Sequence, residues 1–148
     1  MQGMKRTWLR ALVVPLLVAV PVACDDNPTD PEGDPADDVA EIRLQVGNQT
    51  VRIIDGTPDG PVTIGVGATA ISATFRDAAG AVVPGVDTDE FEVRIDVANS
   101  DVATFTGTGF TGTLTGVAAG TTTAQVSLFH VEEQHSDVGP WTVSIVVE

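Results

Sequence analysis

From Val39 onward, apolar and polar residues alternate with a period of two. In residues 41–46, Ile42, Leu44 and Val46 fall on one side, and Glu41, Arg43 and Gln45 on the other. Residues 50–54 form a second short run. Residues 69–76 place Ile71, Ala73 and Phe75 inward. The clearest stretch is 91–97, where Phe91, Val93, Ile95 and Val97 oppose Glu92, Arg94 and Asp96. Residues 122–129 turn Ala124, Val126 and Leu128 inward, and residues 141–147 do the same with Trp141, Val143, Ile145 and Val147. Such alternation means strands with one buried face and one wet face, the habit of antiparallel sheets. Gly, Pro and Asp punctuate the runs at 55–60, 77–80, 84–85 and 107–109. No stretch carries a helical period with caps. Seven or more short strands in roughly 110 residues predict an all-β, two-sheet antiparallel β-sandwich; a small barrel is the alternative.

Charge divides the chain. Lys5, Arg6 and Arg10 lie near the start; afterwards only Arg43, Arg52, Arg76 and Arg94 are basic. Beyond residue 23, 4 basic groups face 21 acidic ones, a formal charge of −17. That surface repels phosphate backbones and argues against nucleic-acid binding, while it favours solubility and attracts cations.

The first 23 residues read as a signal peptide: a basic start, then an apolar run from Ala11 to Ala23 that is too short for the ~20 residues a bilayer needs. Ala23-Cys24 resembles the end of a bacterial lipoprotein signal, in which a small residue precedes a lipidated cysteine. The resemblance implies lipidation at Cys24 and a membrane anchor in the cell envelope; plain secretion is the alternative. Cys24 is the one cysteine, so the folded part has no internal disulfide. Residues 24–38 follow as an acidic linker with Pro28, Pro31 and Pro35. Its composition predicts a disordered, extended spacer reaching ~40 Å. The β-domain is expected over 39–148.

Within that domain, Val102-Ala103, Gly112, Gly116, Gly120-Thr121 and Val126 form a pattern, with Val66-Gly67 and Asp77-Ala-Ala-Gly80 upstream. The pattern resembles the bacterial Ig-like group 2 family. The resemblance implies an immunoglobulin-like sandwich and a non-catalytic binding or spacer module on bacterial surfaces, with a protein or glycan partner, no enzymatic activity and no required cofactor.

The chemistry concentrates in residues 130–140, which read as a last hairpin loop of about 11 residues, longer than such loops need to be. It holds both histidines, His130 and His135, with Glu132, Glu133 and Asp137. Imidazole with carboxylate suits Zn²⁺, Cu²⁺ or Ni²⁺, so these five residues form a candidate transition-metal site. A solvated loop or a protein-contact loop is the alternative. Acidic stretches at 55–60 and 87–92 lack the spacing of a calcium loop. His135, Ser136 and Asp137 are neighbours in sequence, which does not make a catalytic triad.

Overall fold

The structure is a computed structural model and describes residues 33–148. Ten strands follow a short 3₁₀ turn at Pro35–Asp38. They are β1 Glu41–Val46, β2 Gln49–Ile54, β3 Thr57–Pro58, β4 Val62–Ile64, β5 Gly67–Arg76, β6 Phe91–Val97, β7 Ala103–Thr108, β8 Thr111–Gly116, β9 Gly120–His130 and β10 His135–Val147. One sheet has the order β3-β2-β1-β5-β8-β7, the other β4-β10-β9-β6. The neighbours β1-β5-β8-β7 and β10-β9-β6 reproduce the A-B-E-D and G-F-C sheets of an immunoglobulin-like sandwich. The hairpin β2–β3 widens the first sheet beyond that plan. The second sheet departs from the all-antiparallel expectation at one edge, where Val62–Ile64 runs parallel to Ile145–Val147.

Alternation explains the packing. Ile42, Leu44 and Val46 of β1 are buried against the same core as Val93 and Ile95 of β6 and Val126 and Leu128 of β9. Each of these positions points inward because its chain neighbours point out. Val97 and Trp141 keep the expected side but are only partly buried, packed at the margin of the core. On the outer face of the second sheet, Phe129 is buried as well, because the Arg94 guanidinium lies 3.0 Å above its ring centre while Arg94 Nε donates to Glu92 at 2.8 Å.

Two features were not legible in the alternation. The spacer expected over 24–38 ends sooner than drawn: Pro35–Asp38 is ordered and Ala36 sits in the core. Pro35 presets the first turn, and Asp34 caps it by accepting from Ala36 N at 2.9 Å. Residues 25–32 of that spacer, Cys24 and the leader lie outside the described residues.

The second feature is a carboxylate on the wet face that is nevertheless buried. Glu41 is 4% exposed, because Arg43 and Arg52, register partners across β1 and β2, fold over it. Arg43 Nε donates at 2.7 Å, and Arg52 donates through Nη2 at 2.9 Å and Nε at 3.1 Å. The Arg52 hydrogen bonds lead in lowering the Glu41 pKa to about 2; burial opposes them and Arg43 adds to them.

That depression predicts an acid limb in stability. Glu41 binds its proton more readily in the unfolded chain, so its contribution is complete above pH 4.5 and is lost as pH falls toward 2. Arg43 and Arg52 are 32% and 44% exposed, so solvent screening discounts the effect. We expect a loss of roughly 1–2 kcal/mol over that window. Denaturant melts of wild type and Glu41→Gln between pH 2 and 6 check it: the variant should start less stable and lack this part of the slope.

Candidate metal centre

Strand pairing builds the site from the last hairpin. The segment 130–140 is not an open loop: β9 runs to His130, four residues turn, and β10 begins at His135. His130 and His135 are direct register partners, so both imidazoles stand on the same face. Gln134 closes the turn in the left-handed region at φ 59°, its N–H donating to His130 O at 3.0 Å. Val131 N donates to Glu90 O at 2.8 Å, which ties the turn to the start of β6.

Irregularity in β10 then aims the third group. Ser136 pairs with Phe129 and Val138 with Leu128, so Asp137 is the extra residue of a β-bulge. Bulges re-aim side chains, and here the Asp137 carboxylate is brought beside both histidines. A second register shift follows between Val138 and Trp141. It depends on Gly139, whose φ is +88° and whose missing Cβ would meet Val126 O at 2.7 Å.

His130 continues the inward parity of Val126 and Leu128 and reaches the rim of the core. Its ring centre is 4.7 Å from that of Phe91, its partner across β6 and β9, and its side chain is 12% exposed. The Asp137 side chain is 9% exposed. His130 Nδ1 and Asp137 Oδ2 are both buried and have no hydrogen-bond partner; they stand 3.6 Å apart. The other carboxylate oxygen, Oδ1, lies 2.5 Å from His135 Nε2. Glu133 Oε2 is 3.6 Å from His135 Nε2 and 3.9 Å from His130 Nδ1.

Four of the five residues singled out in the sequence therefore meet: His130, Glu133, His135 and Asp137. Glu132 is exposed in the turn and takes no part in these contacts. The two imidazole ring centres are 6.1 Å apart. A further carboxylate comes from the other end of the domain. Asp34, His130 and Asp137 each bring one ligand atom to a group within 4.8 Å of one another, the one such group among the described residues. The acidic stretches at 55–60 and 87–92 contribute nothing to it: Asp59 accepts from Arg52 N and Asp87 from Asp89 N. Ser136 turns to the opposite face and donates to Ser127 Oγ at 3.2 Å, so no Ser–His pair exists there.

No protein-family model matches the chain, and no curated protein does. Among solved structures, domains 4 and 5 of the S-layer protein SbsC are similar, with 18% identity and a TM-score of 0.39 over 68% of this chain. The match spans 59% of that structure's own length. Fold and site together define an all-β sandwich that carries an imidazole–carboxylate cluster at one end.

The His135 pKa is raised. Partial desolvation works against its charge, but the Asp137 carboxylate, a backbone hydrogen bond at Glu133 and the Glu133 carboxylate outweigh it. A raised imidazole adds stability that is fully present below its ordinary value of 6.5 and lost as pH rises through the folded value. An NMR titration of metal-free protein should find His135 above 6.5, and Asp137→Asn should bring it down.

Proposed function

We propose that this chain is a non-catalytic, Ig-like module of the bacterial cell envelope, exported by its leader and tethered through Cys24. Its hairpin site binds one divalent transition-metal ion. The observation that supports the metal reading best is the orphan pair, His130 Nδ1 and Asp137 Oδ2, buried without partners 3.6 Å apart. An unsatisfied buried polar atom costs ~1–3 kcal/mol, so two together need a reason. Their separation is too long for a hydrogen bond. It is close to the ~3.4 Å between neighbouring tetrahedral ligands with metal bonds of ~2.0–2.1 Å. A cation between them satisfies both.

The donor set narrows the ion. Imidazole nitrogen beside carboxylate oxygen suits Zn²⁺, Ni²⁺ or Cu²⁺; a calcium site would be built from oxygen alone. With Asp137 bound to the ion, its contact with His135 orients the carboxylate from behind, as groups around metal ligands commonly do. The formal −17 charge beyond residue 23 raises the local cation concentration. In this reading the sandwich is a spacer and binding unit, and the metal-bearing end is the part that meets an envelope protein or glycan.

Native mass spectrometry with added Zn²⁺ or Cu²⁺ tests the site. One ion per chain is expected, with affinity at least ~10-fold weaker in Asp137→Asn and lost in the double His130→Ala, His135→Ala variant. Circular dichroism confirms that each variant is folded. The absence of a stoichiometric ion, or binding unchanged in both variants, would retire the metal reading. The tether has its own test. Cys24→Ser should move the protein from the membrane to the soluble fraction; a wild type already soluble, with an unmodified cysteine, would remove the anchor from the proposal.

A further inference from the structure

We infer that the ion takes Asp34 as a ligand and thereby fastens the segment entering the domain onto its last hairpin. The inference rests on the metal reading above. Asp34 stands ten residues after Cys24, at the point where the chain joins the sandwich. Its ligand atom lies within 4.8 Å of those of His130 and Asp137, although the three belong to opposite ends of the folded sequence. One oxygen, Oδ1, accepts from Ala36 N; the carboxylate keeps a second oxygen for a metal.

The segment's own hold on the domain is slight. In the turn Pro35–Asp38 only Ala36 is buried. One buried methyl and the partly buried Val39 are a small return for fixing several backbone residues. Charge works against docking as well. Asp34 approaches Asp137, Asp37 and Asp38 follow it in the turn, and the His135 imidazole contacts the other oxygen of Asp137. Like charges brought together repel, and a divalent cation between them reverses the sign.

Linkage then follows. An ion that binds the docked form and not the undocked one favours docking by the factor 1 + [L]/Kd, about 100-fold when free metal is 100 times Kd. The metal thus governs whether the root of the tether is clamped to the hairpin or released from it. Three protein ligands, two carboxylates and one imidazole, leave a further coordination position open to water.

Hydrogen exchange of the full chain, with and without Zn²⁺, tests this together with zinc titrations of wild type, Asp34→Asn and Asp137→Asn. Asparagine keeps the cap on the 3₁₀ turn and removes the anionic ligand. In wild type, zinc should slow exchange at Ala36, Asp37 and Val39, by up to about 100-fold when free zinc is 100 times Kd. In Asp34→Asn, zinc should bind at least ~10-fold more weakly and leave those amides unprotected. If Asp34→Asn binds zinc as tightly as wild type, or zinc leaves wild-type exchange there unchanged, while Asp137→Asn loses the ion, the clamp is overturned and the metal site stands. If wild type binds no zinc, both fall.

Discussion

Everything in this domain hangs on two apolar faces pressed together without a covalent link. The single cysteine lies before the sandwich, so no disulfide joins its sheets. The burial of β1, β5 and β8 against β6, β9 and β10 has to carry the fold. Period-two alternation makes this possible, since it supplies one continuous apolar face to each sheet while the reverse faces stay wet. It also fixes register, because a slip of one residue would send every core side chain to solvent. The site inherits this constraint. His130 is on the inner face because Val126 and Leu128 are, and His135 faces the same way because the two are paired.

The parts of the fold that the sequence revealed are those where alternation is strongest: β1, β5, β6, β9 and the second half of β10. The first half of β10 was hidden. His-Ser-Asp-Val-Gly-Pro reads as a loop, because Gly139 and Pro140 are turn residues and the two register shifts break the alternation. The bulges that obscure the strand are the same features that aim Asp137. The parallel strand β4 is only three residues long, too short for a period to show. Ordering at Pro35–Asp38 was masked by composition: an acidic, proline-containing stretch looks like spacer, and the one residue it buries is an alanine.

The candidate site was half legible. Local crowding of histidines and carboxylates in one short segment pointed to His130, Glu133, His135 and Asp137, and also to Glu132, which faces solvent. Asp34 could not be found that way. It lies in a run where nearly half the residues are acidic, and its neighbourhood with His130 arises only when the entry segment folds across the rim. The one available signal was the Asp-Pro step at 34–35, a cap followed by a preset first residue.

The Glu41 clamp has a bearing on how the molecule meets enzymes that cut or modify at positive side chains. Beyond Arg10 the chain has no lysine and four arginines, all within β1, β2, β5 and β6. Two of them are spent on holding one carboxylate, and a third lies over Phe129. A trypsin-like protease needs its target in an extended, unpaired stretch, and these arginines are paired in strands. The spacer between Cys24 and the domain offers it no basic residue at all. Amine-directed reagents and lysine-modifying enzymes likewise find no lysine in the domain. Cleavage at arginine would therefore report the opening of the sheets themselves, which makes the scarcity of positive charge a gauge of the integrity of the fold.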